Sequence, residues 1–216
     1  MLTRMTQPRK APRTVDELFG ERLKHFREKA GLSQEQLAQR VVVHGGAIHQ
    51  TTIMRTEKGE RRATLNEFLL FAAALNVPPP LLLIPLGDQR RVAITPNSEI
   101  HPHLALKWFV GYTPLASSER LAVGELNEWL NNLRPLQLHN RLQEAQDDVH
   151  KAWDTFKRAR YVGHENEIRD ARANLVEPLT TLGAVLSQLR KEGMEPPNMP
   201  KEWLDEMRKL GIEGSE

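Results

Sequence analysis

Apolar residues recur every three or four positions along most of this chain, which is the spacing of one face of an α-helix. Three such runs follow a capping box, in which a Thr or Ser and a Glu or Gln three residues later bond each other's backbone amides. The boxes are Thr14–Glu17, Ser33–Gln36 and Thr64–Glu67. The pattern therefore predicts helices that begin after these three hydroxyl residues, the first with Leu18, Phe19, Leu23 and Phe26 on one face.

Glycine and proline mark the ends of these helices. Gly31 can adopt the left-handed conformation that follows a helix, so we expect the first helix to end near it. Pro78–Pro80 cannot continue the helix that starts after Thr64, and the apolar run 81–84 is predicted to form a last helical turn. Core positions predicted here are Leu37, Ala38, Ile53 and Leu65.

The pattern changes between residues 88 and 116, where Pro96, Pro102 and Pro114 interrupt it. The sequence RRVAIT at 90–95 fits either a short strand or an extended linker. The apolar residues that follow are Leu106, Trp108, Phe109 and Tyr112. We therefore expect a linker whose aromatic segment packs against other residues.

The C-terminal residues 117–216 return to helical spacing, first from Ser118 to Leu133. A heptad pattern follows at Leu138, Leu142, Ala145, Val149, Ala152, Phe156 and Ala159. Gly163 separates it from a helix with Ile168, Ala171, Leu175, Leu179, Leu182, Leu186 and Leu189, in which Pro178 predicts a kink. Two long helices with a tight link favour an antiparallel hairpin, and a short helix is predicted at 201–212.

Composition limits the class of protein. The chain has 216 residues, of which 39% are hydrophobic and 27% charged, as in a soluble helical protein. There is no cysteine, which excludes disulfide scaffolds and thiolate sites. We find no apolar run of membrane-spanning length and no apolar stretch of a signal peptide, so we expect a cytoplasmic protein.

Charge is distributed unevenly. Residues 1–90 contain 14 Lys and Arg against 9 Asp and Glu, a net +5, whereas the remaining residues have a net −3. A basic first part is consistent with a polyanionic partner, although a solvated charged surface would give the same count.

Residues 30–62 carry the most specific motif. AGLSQEQLA (30–38) and Ile53 with Glu57-Lys58-Gly59 resemble the Cro and phage-repressor type helix-turn-helix of the XRE family of transcriptional regulators. The resemblance covers about residues 14–86. It implies five short helices, double-stranded DNA as the partner, and a recognition helix that begins near His49 and enters the major groove.

The resemblance also implies roles for individual residues. The positions that would read bases are Gln50, Thr51 and Arg55, whose side chains suit adenine, thymine and guanine. The positions that would contact phosphates are Gln34, His49, Thr52, Lys58, Arg61 and Arg62. A flexible basic arm at residues 1–13 could reach a minor groove through Arg4, Arg9, Lys10 and Arg13, although a disordered tail is the simpler expectation.

One segment departs from the family. The turn Val41–Ile48 is about five residues longer than the usual turn between the two helices. We expect it to bulge outward while the recognition helix is retained, because the spacing from Ile53 to Gly59 is intact.

We expect that the protein is not an enzyme and that it binds neither a cofactor nor a metal ion. His101 and His103 are the closest histidine pair, but Pro102 between them does not suit a helical ligand spacing. The predicted organisation is all-α: an arm at 1–13, a five-helix DNA-binding domain at 14–87, a linker at 88–116 and a helical domain at 117–216. The last would form a homodimer or bind a protein partner.

The sequence is compatible with three functions. The first is a repressor, or an activator using the same contacts. The second is an antitoxin-like or accessory protein whose C-terminal helices bind a partner while the N-terminal domain autoregulates. The third is a protein-interaction adaptor that does not bind DNA.

Overall fold

The structure is a computed structural model that describes residues 13–88, 90–115 and 123–214. These residues form nine α-helices, one short 3₁₀ helix and one two-stranded sheet, which confirms the all-α prediction apart from the small sheet. The chain divides into two units, Met1–Leu126 and Asn127–Glu216, and each is described by itself.

The first unit begins with the predicted helix-turn-helix region. Its helices are α1 (Val15–Lys29), α2 (Gln34–Val43), α3 (Gln50–Glu57) and α4 (Leu65–Leu75), followed by a 3₁₀ helix at Pro79–Leu82. All three predicted capping boxes are present. The fifth helix that the family resemblance implied is the four-residue 3₁₀ helix, since each proline removes a backbone donor.

A single apolar cluster holds α1 to α4 together. It is formed mainly by Phe19, Leu23, Leu37, Val41, Ile48, Ile53, Phe71, Ala72, Ala74, Leu75 and Leu82, with Ala38 packed at its edge. The predicted core position Leu65 is wrong, because its side chain is 76% exposed. It lies in the first turn of α4, one helical turn from the exposed Leu69, whereas α4 buries residues from Phe71 onward.

The residues expected to form a linker are folded. Strands β1 (Val92–Thr95) and β2 (Ser98–Ile100) form an antiparallel hairpin with a bulge between Ala93 and Thr95. Helix α5 (Pro102–Phe109) follows. A second cluster joins Leu18 of α1 to Ile84, Val92, Ile100 and Ala105, so the hairpin and α5 are part of the first unit. The aromatic segment packs only in part, since Tyr112 is 75% exposed.

The second unit is a helical hairpin closed by a short helix. Its elements are α6 (Val123–Val162), apart from the first four residues of that helix, α7 (Glu165–Ala173), α8 (Val176–Lys191) and α9 (Lys201–Lys209). Arg134 and Arg141, early in α6, bond Glu192 and Gln188 near the end of α8, which confirms the antiparallel arrangement. All seven predicted heptad positions belong to the core of this unit or pack against it.

Pro178 has a stronger effect than the predicted kink. The chain breaks between α7 and α8 at residues 174–175. Pro178 has no N–H to donate to the carbonyl of Asn174, four residues earlier, and its ring crowds that carbonyl. The expected single helix is therefore two helices.

Within the described ranges, no helix is both long enough and apolar enough to cross a membrane.

Candidate nucleic-acid interface

Helix α3 separates its residues into a buried and an exposed face. Ile53 and Thr56 are buried against the core. The three predicted base-reading residues, Gln50, Thr51 and Arg55, are all exposed. In the described part of the chain, the side chains of Gln50 and Arg55 make no hydrogen bond or ion pair. The structure thus places all three on a surface where they can reach another molecule.

Met54 is a residue that the sequence reasoning did not single out. It is half-buried and lies four residues after Gln50 and three after Thr51, which places it on the same helical face. That spacing could have revealed it. Its thioether side chain offers an apolar contact among polar ones.

The position of α3 depends on a close approach to α1. A Cβ atom added at Gly20 would lie 2.4 Å from the carbonyl oxygen of Thr56 and 3.2 Å from that of Glu57. The backbones of α1 and α3 can pack this closely only because residue 20 has no side chain. This contact fixes the C-terminal end of the recognition helix.

A buried charge network joins α1, α2 and α3. Arg27 donates from Nε and Nη2 to the two carboxylate oxygens of Glu57, at 2.6 and 2.9 Å. Its Nη1 donates to the carbonyl of Leu32 at 2.8 Å. The hydrogen bonds to Glu57 raise the pKa of Arg27 against the opposing effect of burial. The sequence motif included Glu57 as part of a helix stop, but its partner on α1 was not predicted.

Gln34 belongs to the same network. Its Nε2 donates to Glu57 Oε2 at 2.8 Å. An amide nitrogen has two hydrogens, so one remains for the phosphate contact that the family resemblance implies. Glu57 therefore sets the orientation of Gln34 relative to α3.

His49 is the N-cap of the recognition helix. Its Nδ1 accepts a hydrogen bond from the backbone N–H of Thr51 at 3.3 Å and lies 2.9 Å from the Thr51 hydroxyl oxygen. Helix α3 therefore begins directly after His49.

The other residues predicted to contact phosphates differ in their exposure and in whether their side chains already pair with another residue of the protein. Lys58 is exposed at the C-cap of α3, and Thr52 is half-buried. Arg62 is exposed and pairs with Asp16 at 3.1 Å. Arg61 is held more firmly, since its two terminal nitrogens donate to the two carboxylate oxygens of Glu67, at 2.9 and 2.8 Å.

Glu67 is also the last residue of the capping box of α4. It accepts a hydrogen bond from the backbone N–H of Thr64 at 2.8 Å. The hydrogen bonds from Arg61, followed by that from Thr64, lower the pKa of Glu67. Arg61 therefore has a structural role at the start of α4, whereas the sequence predicted a phosphate contact for it.

Arg13 is the only residue of the expected basic arm within the described ranges; Arg4, Arg9 and Lys10 lie outside them. The guanidinium of Arg13 pairs with Glu21 and with Asp88, the latter at 2.6 Å. Hydrogen bonds from Arg90, and then from Arg13, hold the pKa of Asp88 well below its usual range. The backbone of Arg13 also forms a bridge to Val92 of β1. These contacts hold Arg13 in the folded domain, whereas the sequence analysis placed it in a flexible arm.

The turn between α2 and α3 is shorter and better packed than the sequence suggested. Helix α2 continues through Val43, which leaves residues 44–49 between the helices. Gly45 has a φ of +79° and ends α2, while the N–H of Gly46 bonds the carbonyl of Val41. Ile48 is buried in the core. The expected outward bulge is therefore wrong for Gly46 and Ile48, because the apolar side chain of Ile48 anchors the turn.

Most of α2, the turn and most of α3 have no acidic residue, although the exposed Glu35 and Glu60 flank this stretch. No Asp or Glu occurs from Gln36 to Thr56, a stretch that covers most of α2, the turn and most of α3. Glu57, the next carboxylate, is neutralised by Arg27. A surface of this composition favours a polyanion.

The histidine pair at residues 101 and 103 has a local role. The Nδ1 atom of His101 accepts from the backbone N–H of His103 at 3.2 Å and caps α5. In the ranges that the structure describes, no group of three or more His, Cys, Asp or Glu side chains is arranged to hold a metal ion.

Comparison with known proteins agrees with this geometry. A family model described as a helix-turn-helix domain matches residues 18–83. A control protein from Serratia marcescens, C.SmaI, is 37% identical over 73 residues, which cover 34% of this chain and 81% of that protein. No solved structure matches the chain.

The first unit therefore defines a DNA-binding helix-turn-helix protein. The chain belongs to the XRE family of transcriptional regulators, as its sequence motif predicted. These similarities cover only the N-terminal part.

Proposed function

We propose that this regulator binds a specific DNA sequence and represses transcription by blocking polymerase at a promoter. The observation that carries this proposal is the exposed face of α3, where Gln50, Thr51 and Arg55 are held in place by buried contacts on the opposite face. Helix α3 would lie in the major groove, with its first residues at the base edges.

The roles of the base-reading residues follow from their chemistry. Gln50 would pair with adenine through its amide, Arg55 would pair with guanine through two nitrogens, and the methyl group of Thr51 would contact thymine. Met54 would add an apolar contact on the same face.

Phosphate contacts would surround this helix. Lys58 and Arg62 are supported by their exposure, and Gln34 by the amide hydrogen that Glu57 leaves unused. We also assign this role to His49, Thr52 and Arg61, and a minor-groove role to Arg4, Arg9 and Lys10. Such contacts set the register and supply most of the salt-dependent affinity.

The direct test is to sequence the genomic fragments that the protein retains and to identify a shared motif. We expect a motif that footprints on the same bases in a purified duplex. Binding that ignores salt, or no binding to any duplex, would overturn the proposal and favour the protein-interaction adaptor. Reporter transcription from a promoter that carries the motif distinguishes a repressor from an activator.

We further propose that the regulator acts as a homodimer on paired half-sites. The heptad positions of α6 are used inside the second unit, so they are not the dimer contact. A further row of apolar side chains, on the first third of α6, could form the dimer contact. In this row Trp129 and Leu133 are half-buried, and Leu130 and Leu136 are 45% and 40% exposed. Apolar side chains so spaced share one helical face.

The solution mass tests this dimer. The double variant Leu130→Glu/Leu136→Glu should be a monomer at concentrations where the natural chain is a dimer. The matched control is Gln137→Glu, an exposed polar position on the same helix. A natural chain that is monomeric, and that purifies with a second protein, would favour the antitoxin-like or accessory function. Because a regulator works where the chromosome lies, we place the protein in the cytoplasm.

A further inference from the structure

Met54 lies among the residues of α3 that are predicted to read bases. Successive residues of an α-helix are rotated by about 100° around the axis. Met54, four residues after Gln50 and three after Thr51, therefore falls between these two exposed residues around the helix. Its own side chain is half-buried, so part of it is accessible from the same side. The exposed face of α3 thus contains one apolar side chain among polar ones.

The side chain of Met54 does not belong to an apolar cluster of the protein. Among the residues that the structure describes, the three clusters contain the other methionines, Met194, Met199 and Met207, but not Met54. Ile53, the preceding residue, is fully buried in the cluster that holds α1 to α4 together. The packing of α3 on the domain therefore depends on Ile53, and the accessible part of Met54 can contact another molecule.

We propose that Met54 reads the C5-methyl group of a pyrimidine in the major groove and thereby sets the specificity at one base pair. This inference rests on the DNA-binding function proposed above. Thymine presents its C5-methyl group in the major groove, and 5-methylcytosine carries the same group there. A thioether has no hydrogen to donate and accepts hydrogen bonds only weakly. Among the groups on the base edges, the methyl group therefore suits Met54 best.

The helix geometry limits which base pair Met54 can reach. Gln50 and Met54 are separated by about one helical turn, or about 6 Å along the axis of α3. Base pairs follow one another at about 3.4 Å along the duplex. A helix that lies along the groove therefore places Met54 within about two base pairs of the base that Gln50 contacts. The side chain is long and unbranched, so it can adjust to a methyl group on either strand.

The size of this contribution follows from the area of one methyl group. Burial of one such group against an apolar side chain corresponds to roughly a fourfold gain in affinity. A bidentate pair of hydrogen bonds between a side chain and a base, as proposed for Arg55, contributes roughly tenfold or more. Loss of the Met54 side chain should therefore remove a preference at one base pair without abolishing DNA binding.

The experiment compares the full natural chain with Met54→Ala on the duplex recovered from the genomic fragments. In one series each thymine of the motif is replaced in turn by deoxyuridine, which removes only the methyl group. In a second series each cytosine is replaced by 5-methylcytosine, which adds one. We expect the natural chain to bind roughly fourfold more weakly when one thymine loses its methyl group, or roughly fourfold more tightly when one cytosine gains it. Met54→Ala should show no difference at that base.

Three further variants isolate the residue. Met54→Leu keeps an apolar side chain of similar volume and should retain the preference. Leu69→Ala is the matched control, because it shortens another accessible apolar side chain, 50% exposed on α4, and should leave every preference unchanged. Thr51→Ser removes the methyl group of Thr51 and should act at a different pyrimidine. A partly unfolded variant loses affinity for both duplexes of a pair alike, so the ratio of the two affinities reports the contact itself.

The outcomes are distinguishable. If Met54→Ala keeps every methyl preference of the natural chain, or Leu69→Ala loses the same one, the assignment to Met54 is overturned while DNA binding stands. If no pyrimidine methyl group in the motif changes the affinity of the natural chain, the methyl contact is overturned. If the natural chain binds no duplex at all, the proposed function itself fails.

Discussion

Arg27 and Glu57 form a bidentate ion pair between α1 and the last residue of the recognition helix, with nitrogen to oxygen distances of 2.6 and 2.9 Å. The Arg27 side chain is 10% exposed and that of Glu57 is 3% exposed. Glu57 also orients Gln34. One buried carboxylate therefore links the scaffold, the recognition helix and a candidate phosphate contact.

Replacing Arg27 with Met should destabilise the first unit by about 3–5 kcal/mol, because it leaves the Glu57 carboxylate buried without its partner. Urea unfolding measures this change. The control is Lys24→Met on the same helix, whose pair with Glu28 is exposed and 3.9 Å long. That variant should lose less than about 1 kcal/mol. Equal losses would show that the buried pair contributes no more than the exposed one.

Replacing Gly20 with Ala should shift α3 away from α1. The new Cβ would lie 2.4 Å from the Thr56 carbonyl, and such overpacking costs about 1–3 kcal/mol. We expect a lower melting temperature and weaker DNA binding. Gly124→Ala serves as the control, because a Cβ at this helical position meets no atom within 4 Å. It should be neutral or slightly stabilising. A Gly20→Ala variant as stable as the control would contradict the close approach.

Arg55 and Lys58 should differ in what their loss does to DNA recognition. Arg55→Ala should relax specificity at one base position, with a loss of about 1–3 kcal/mol on the recovered motif only. Lys58→Ala should weaken binding about equally on all sequences and reduce the salt slope by about 1. Competition between the motif and single-base variants measures both. An equal loss on every sequence for Arg55→Ala would refute its base-reading role.

Arg61→Ala should weaken binding on all sequences and flatten the salt slope, as expected for a phosphate contact. The structure adds a second effect, because this change also removes the pair with Glu67. Stability must therefore be measured beside affinity. A loss of stability with unchanged affinity and salt slope would assign Arg61 to the fold alone.

The Arg61–Glu67 pair should also give the stability a dependence on pH. The pKa of Glu67 is lowered in the folded state, so its stabilisation is present at neutral pH, above the ordinary value of about 4.3, and is lost as the pH falls through the lowered folded value. Glu67→Gln keeps the capping box but removes the charge. We expect this variant to be less stable than the natural chain by about 1 kcal/mol at neutral pH.

In acid, where the natural Glu67 is also protonated, the difference between the two proteins should become small. Unfolding of both in urea at neutral and strongly acidic pH checks this. A difference that stays constant would show that the ion pair is not its source.

Local sequence determined where the helices start and which residues of α3 are exposed. A capping box needs only residues that are three apart, so Thr14, Ser33 and Thr64 could be identified without a fold. The resemblance to the family motif likewise separated Ile53, which is buried, from Gln50 and Arg55, which are exposed. Comparison of the motif with its family identified the class of protein.

The sequence could not give the contacts between residues that are distant in the chain. Arg27 and Glu57 are 30 residues apart, and Arg13 and Asp88 are 75 apart. In the sequence each of these is an ordinary charged residue. The sequence predicted a linker at residues 88–116 because a short hairpin has a weak pattern and is stabilised by packing on distant residues such as Leu18 and Ile84.

The turn between α2 and α3 also combines features that local sequence predicts with features that only the folded structure decides. From the sequence, the intact spacing from Ile53 to Gly59 indicated that α3 follows the turn. The tertiary structure decided that the turn is anchored, because burial of Ile48 depends on the positions of α1, α2 and α4 together. Helix limits depend on neighbours along the chain, whereas burial and ion pairing depend on neighbours in space, and only the folded chain supplies those.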